Sequence, residues 1–132
     1  MTRVGLLVLG VSYAATGTWA LLAPHSWWAS FPGFGRHWMS VLGPFNDELV
    51  RDFGALYLVL AALLLWAAVI LARRAVQAAA GAVLLFVVLH TTYIIGKLHL
   101  LPAADRVGLM AGLAFTAVLS AAILKPAHKL EA

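Results

Sequence analysis

Four long apolar stretches dominate this sequence and restrict what the chain can fold into. They cover residues 4–23, 53–72, 76–96 and 107–124 of a 132-residue chain that is 64% hydrophobic. A helix needs about 20 mostly apolar residues to cross the hydrocarbon core of a bilayer. The sequence therefore predicts an all-α integral membrane protein, a single domain formed by a bundle of four transmembrane helices. With their polar ends included, these helices are expected at about residues 4–23, 47–72, 76–98 and 105–124.

The only long connection, residues 24–46, is rich in aromatic side chains. It contains Trp27, Trp28, Phe31, Phe34, Trp38 and Phe45 among several Pro and Gly residues. Aromatic rings concentrate at the headgroup level of a membrane, so we expect an interfacial loop, with a short amphipathic helix near residues 37–42. Two interpretations stay open. The segment is an anchor, which we favour, or it is a lid over a cavity that faces the lipid.

The charged residues indicate topology and not a binding face for nucleic acid. The net charge is +4, but Lys and Arg stand singly or in pairs at the ends of the apolar stretches, as topology signals do. The compact Arg73–Arg74 turn favours cytoplasmic N- and C-termini for a multi-pass protein of the inner (plasma) membrane. No cysteine is present, which excludes disulfides, thiolate nucleophiles and cysteine-ligated metals.

Polar residues gather near one membrane surface. The second predicted helix begins with Glu48, Arg51 and Asp52 and continues to Tyr57, while the third ends with His90, Tyr93 and Lys97. Antiparallel threading puts these two groups at similar depth, given a rise of about 1.5 Å per helical residue. Ionisable side chains inside spanning segments are costly and usually face a bundle interior or a cavity. This is the candidate site.

The candidate site allows a structural and a functional interpretation. In the first, an ion pair from Asp52 to Lys97 or His90 holds the second and third helices together, because a buried charge needs a partner. In the second, the site is a pocket for a ligand with a polar head, lined by Arg51, Asp52, Tyr57, His90, Tyr93 and Lys97. Any catalysis would fall to Glu48, Asp52 and His90.

Two rows of small residues predict close helix contacts. Gly10, Ala14 and Gly17 follow one face of the first helix, and the fourth helix carries a strip of Gly108, Gly112, Thr116 and Ser120, one every fourth residue. Small residues let helix backbones approach closely in a membrane. The second strip is expected to pack within the bundle or between two copies. Pro126 is expected to end the fourth helix.

Known catalytic and cofactor motifs are missing from the sequence. The histidines lack the HxxxH or HxxE spacing of a metal site, and no G-x-S-x-G elbow is present. Phosphate-binding and dinucleotide-binding glycine motifs are also absent. We therefore expect neither a metal nor a cofactor, and we favour a non-catalytic protein.

Several residues resemble those of the DoxX-like superfamily of small four-helix bacterial membrane proteins. The first helix begins with residues 5–10, Gly-Leu-Leu-Val-Leu-Gly, and ends at residues 21–24, Leu-Leu-Ala-Pro. The second begins with Asn46 and continues through residues 51–54, Arg-Asp-Phe-Gly. The resemblance spans nearly the whole chain. It implies the four-helix architecture, and some of these relatives are accessory subunits of membrane oxidoreductases.

Three functions remain in competition. The first, which we favour, is a non-catalytic module that binds lipid or docks a membrane-protein partner or a second copy through the strip on the fourth helix. The second is a small oligomeric transporter or channel, since four helices are few for a transport path. The third is an intramembrane acid–base enzyme acting on a lipid or sterol-like substrate, with Glu48 or Asp52 opposite His90.

Overall fold

The computed structural model describes residues 1–127 and is helical without strands over that range. Five α-helices follow one another: α1 (Thr2–Leu22), α2 (Pro24–Ser30), α3 (Asp47–Ile70), α4 (Arg73–Ile95) and α5 (Ala103–Ala127), with a 3-10 turn at Leu98–Leu100. Four of them, α1, α3, α4 and α5, are long and apolar enough to cross a membrane. The predicted fold, a four-helix membrane bundle, is confirmed.

The outer surface of the bundle is apolar. Large aliphatic side chains on the long helices are strongly exposed, among them Val59 at 64%, Val69 at 74% and Val107 at 70%. A water-soluble monomer rarely exposes apolar surface on this scale. In a bilayer the same side chains contact lipid tails, so the surface fits a multi-pass membrane protein.

The ends of α3 follow directly from local sequence. The side chain of Asn46 accepts a hydrogen bond from the Leu49 N–H at 2.9 Å, which satisfies one of the free amides at the helix start. At the other end Leu71 adopts a left-handed conformation with a φ of 51°, and α4 begins two residues later at Arg73. This short connection makes α3 and α4 antiparallel neighbours.

The helix positions differ from the prediction by a few residues at most ends, and the short helix of the aromatic segment lies elsewhere. The short helix in the aromatic segment is α2 at Pro24–Ser30, where Pro24 occupies the first turn, as proline can. Residues 38–42 form turns; there the Trp38 N–H bonds to the Phe31 carbonyl instead of a helical neighbour. Helix α4 begins at Arg73 instead of 76, and α5 continues past Pro126 to Ala127.

Helices α1 and α3 cross with their backbones in contact. A Cβ atom built on Gly54 would lie 2.6 Å from the Leu21 nitrogen, and one built on Gly17 would lie 2.8 Å from the Gly54 oxygen. Real Cβ atoms do not approach other atoms so closely, so only glycine fits at both positions. The close contact predicted for Gly17 is confirmed.

The bundle is tightly packed at the end away from residues 24–46. Leu6, Leu64, Val76 and Val83 are completely buried there, and they belong to one continuous core cluster that includes several alanines of α3 and α4. Small and branched side chains pack closely in this half. Nearer to residues 24–46, aromatic rings separate the helices.

Candidate functional site

A cavity of about 230 Å³ lies between α1, α3, α4 and α5, in the half of the bundle next to the aromatic segment. Tyr13 of α1, Tyr57 of α3, His90 of α4 and Leu113 of α5 contribute to its walls. Trp27 of α2 also lines it, together with other residues of segment 24–46. We call residues 24–46 the cover, because they close the cavity at that end of the bundle.

Half of the residues that line the cavity carry an aromatic or imidazole ring. The rings of Tyr13 and Tyr57 are stacked, with centroids 4.6 Å apart, and Phe86 meets Tyr57 edge-on at 5.6 Å. On its other side Phe86 stacks against the imidazole of His90 at 5.7 Å. These side chains come from three helices. Through these contacts Phe86, which does not itself line the cavity, packs against rings that do.

Two tryptophans of the cover, Trp27 and Trp38, line the cavity with their rings. Trp27 is 5% exposed, and its indole nitrogen is buried without a hydrogen-bond partner among the described residues. The indole of Trp38 lies against the Asp105 carboxylate. Both nitrogens are enclosed by protein atoms, so the tryptophans present ring carbons to the cavity.

The other polar groups of the cavity are hydroxyls and one imidazole. Ser12 and Thr116 use their hydroxyls on the carbonyls of Val8 and Gly112 in their own helices, at 2.8 and 3.0 Å. The cavity lining in the described part of the chain contains no Lys, Arg, Asp or Glu. The cavity therefore suits an uncharged molecule, because an isolated ion there would lack a counter-charge.

The cover is attached to α5. Arg36 forms an ion pair with Asp105 in the first turn of α5. The Trp38 ring lies over Gly108, one turn further along, where an added Cβ would be 3.2 Å from the indole. Within the cover, His37 Nδ1 lies 2.6 Å from the Ala29 carbonyl oxygen. These contacts place Trp38 at the cavity.

The cavity opens sideways between α1 and α5. Ser12 of α1 and Gly112 of α5 both line it, and both are exposed. No heavy atom would lie within 4 Å of a Cβ built on Gly112. Since α1 and α5 are membrane-spanning helices, the opening faces the hydrocarbon region of the bilayer.

The structure divides the residues of the predicted site into two groups. Tyr57 and His90 both line the cavity. Glu48, Arg51 and Asp52 are exposed at the start of α3, and Tyr93, with 62% exposure, lies on the outside of α4. Lys97 is partly buried beyond the end of α4. The seven residues therefore do not form one site.

The ion pair expected from Asp52 to Lys97 or His90 is not formed. The described part of the chain contains two ion pairs, Arg36–Asp105 and the helical pair Arg51–Asp47 at 2.7 Å. Arg51 also donates to the Leu21 carbonyl at 2.6 Å, which ties the start of α3 to the end of α1. Asp52 is exposed at the helix end, where water can solvate its charge without a partner.

The strip on α5 runs from exposed positions at Gly108 and Gly112 to a buried position at Ser120. Gly108 faces Trp38, Gly112 and Thr116 line the cavity, and Ser120 is fully buried with a hydroxyl that has no partner among the described residues. The strip thus borders the cavity and the core of its own chain. A Cβ on Gly112 would meet no neighbour, so a close helix contact is missing at that point.

Tyr13, Trp27 and Trp38 are cavity residues that sequence reasoning did not select. Tyr13 carried a usable signal, because a phenol in the middle of an apolar span must find a partner or a cavity for its hydroxyl. The two tryptophans were interpreted as interfacial aromatics. Their orientation toward the bundle depends on how the cover folds, which no local pattern reveals.

Within residues 1–127 no three His, Asp or Glu side chains come together as a metal site would require. Comparisons with protein-family models, with curated proteins and with solved structures find no match to this chain. The cavity therefore has to be interpreted from its own chemistry.

Proposed function

We propose that this protein binds a small lipophilic molecule, without chemically changing it, in the cavity beneath the cover. The observation that carries the proposal is the cavity of about 230 Å³ between the four long helices, whose lining is largely apolar and includes the imidazole of His90. Ligand sites are typically apolar clefts with a few convergent polar groups, as this one is.

The sideways opening supports a ligand that arrives from the bilayer. A molecule dissolved in the membrane can pass between α1 and α5 without crossing the headgroup layer. Membership of the DoxX-like superfamily and cytoplasmic termini are part of the same proposal, the first resting on the sequence resemblance and the second on the Arg73–Arg74 turn.

Ligand binding is favoured over the alternative functions by where the polar residues lie. Acid–base catalysis was assigned to Glu48 or Asp52 opposite His90, but both carboxylates are exposed at the start of α3, away from the cavity that His90 lines. A docking role was assigned to the strip on α5, but two of its residues, Gly112 and Thr116, line the cavity and Ser120 is buried in the core. The transporter hypothesis named no further residue at the cavity.

Filling the cavity tests the proposal. In Gly112→Leu the new side chain enters space in which a Cβ meets no atom, so the fold should persist while the cavity closes. Gly81→Leu is the matched control, since a Cβ on Gly81 also meets nothing within 4 Å and Gly81 is not among the cavity residues. Each protein is extracted mildly from its own membrane and analysed by native mass spectrometry, followed by identification of solvent-extracted small molecules.

We expect the wild type and Gly81→Leu to carry the same discrete small molecule and Gly112→Leu to have lost it. An equal load in all three proteins would contradict binding in this cavity. A heteromeric mass that is unaffected by Gly112→Leu would support the accessory-subunit hypothesis instead.

A further inference from the structure

The rings that line the cavity include two phenols and one imidazole whose polar groups are free. They belong to Tyr13, Tyr57 and His90. In the described part of the chain their polar atoms have no hydrogen-bond partner, but, unlike the indole nitrogens of the cover, they are not enclosed by protein atoms. Because Tyr13 as a whole is only 6% exposed, the surface that its hydroxyl keeps faces the cavity.

These groups lie at the inner end and on one wall of the cavity. Tyr13 belongs to the buried core cluster and Tyr57 packs against it, so the stacked pair closes the cavity on the side of the tight core. His90 comes one turn after Phe86 on α4 and stacks on its ring, which puts the imidazole nearer to the cover. Since the cavity measures only about 230 Å³, all three groups face the same ligand.

The chemistry of these groups specifies the polar part of the ligand. A tyrosine hydroxyl both donates and accepts, and a neutral imidazole has one N–H donor and one acceptor nitrogen. A ketone or an ether can only accept, so it would leave the acceptor nitrogen of His90 unpaired, whereas a hydroxyl group does both. A carboxylate or phosphate is disfavoured, because no Lys or Arg of the described chain lines the cavity to neutralise it.

Resting on the proposed function, we infer that the cavity binds an uncharged lipophile through a hydroxyl group, which donates to the acceptor nitrogen of His90 and accepts from a phenol of the Tyr13–Tyr57 pair. The rest of the ligand contacts the ring faces and aliphatic side chains of the lining. Any longer tail leaves through the opening between α1 and α5.

Four probes with one ring system separate these requirements. Naphthalenemethanol has the hydroxyl group, its methyl ether keeps the oxygen as an acceptor without the proton, ethylnaphthalene has the shape of the alcohol without a polar group, and naphthoate carries a charge. Each is titrated by calorimetry into the full-length protein in lipid nanodiscs, with empty nanodiscs subtracted.

Phenylalanine variants remove the polar groups and keep a ring at each position. His90→Phe should weaken binding of the alcohol about fivefold, as expected for one neutral hydrogen bond, and leave the ether unaffected. The double variant Tyr13→Phe/Tyr57→Phe should weaken alcohol and ether alike by about the same factor. Tyr93→Phe is the matched control, because Tyr93 is 62% exposed on α4 and does not line the cavity. Binding of ethylnaphthalene should be unchanged in every variant, which separates lost hydrogen bonds from a disturbed fold.

For the wild type we expect the alcohol to bind about fivefold or more tightly than its ether, ethylnaphthalene to bind more weakly than either, and naphthoate to bind worst. If the alcohol binds no better than the ether or ethylnaphthalene, or if naphthoate binds best, the inference is overturned; the proposed function survives provided that Gly112→Leu abolishes the binding that is seen. Should no probe distinguish the wild type from Gly112→Leu, both the inference and the proposed function fail. The wild-type comparison needs no variant, so a poorly folding His90→Phe protein does not block the test.

Discussion

The two rows of small residues look alike in the sequence and behave differently in the structure. On α1 and α3, Gly17 and Gly54 bring two backbones into contact, with an added Cβ only 2.6–2.8 Å from the facing backbone. On α5, Gly108 faces the Trp38 ring and Gly112 faces open space. Small residues permit close approach, but the facing element decides whether the space is filled by a backbone, by an indole or left as a cavity.

Gly54→Ala should cause the largest loss of stability, because it disrupts the backbone contact between α1 and α3. The new methyl group would lie against the backbone of Leu21 and Gly17, which cannot rotate away as a side chain can. We expect a loss of about 2 kcal/mol or more in the free energy of unfolding. Unfolding of detergent-solubilised protein, followed by tryptophan fluorescence, measures this. Gly81→Ala is the control, and an unchanged unfolding curve for Gly54→Ala would refute the close contact.

Asp105→Asn should have an intermediate effect that is confined to the cover. It tests how Trp38 is held over the strip on α5. Without the charge of Asp105, Arg36 loses its ion-pair partner and the cover is less firmly attached to α5. We expect faster hydrogen exchange in residues 31–42 and a red-shifted tryptophan emission. Asp47→Asn is the matched control, since it breaks the Arg51–Asp47 pair and leaves the cover contacts unchanged. Equal exchange in both variants would mean that the ion pair does not hold the cover.

Gly112→Ala should have the smallest effect, although it makes the same chemical change as Gly54→Ala. Its methyl group meets no atom within 4 Å, and alanine favours a helix over glycine by about 0.8–1.0 kcal/mol in a helix interior. We therefore expect unchanged or slightly raised stability in the same unfolding assay. A destabilisation comparable to that of Gly54→Ala would show that α5 packs closely at this position and that the cavity is filled.

Much of the fold could be predicted from the sequence because it depends on local properties. Lengths of apolar sequence determine which helices span the membrane, and Asn46 begins α3 as its side-chain chemistry indicates. The Asp47–Arg51 spacing likewise gives the observed helical ion pair. Such features involve neighbours in the chain, so the pattern of residues is sufficient to find them.

The candidate site was predicted only in part. Tyr57 and His90 line the same cavity, as expected from their similar depths in two antiparallel helices. Depth alone does not say which side of a helix faces inward, so Asp52 and Tyr93 were grouped with them although both are exposed. Tyr13 was missed for the same reason, because the rotation of α1 is fixed by the glycine contact with α3.

The sequence by itself determined that this protein is a bundle of four membrane helices with an aromatic segment after the first, because hydrophobic length and local capping are properties of short stretches of chain. Only the tertiary structure decided that the rings of Trp27 and Trp38 line a cavity and that Gly112 and Thr116 of α5 border it. These features arise from contacts between residues far apart in the chain. Their geometry depends on helix rotation and on how the cover folds, neither of which a local pattern specifies.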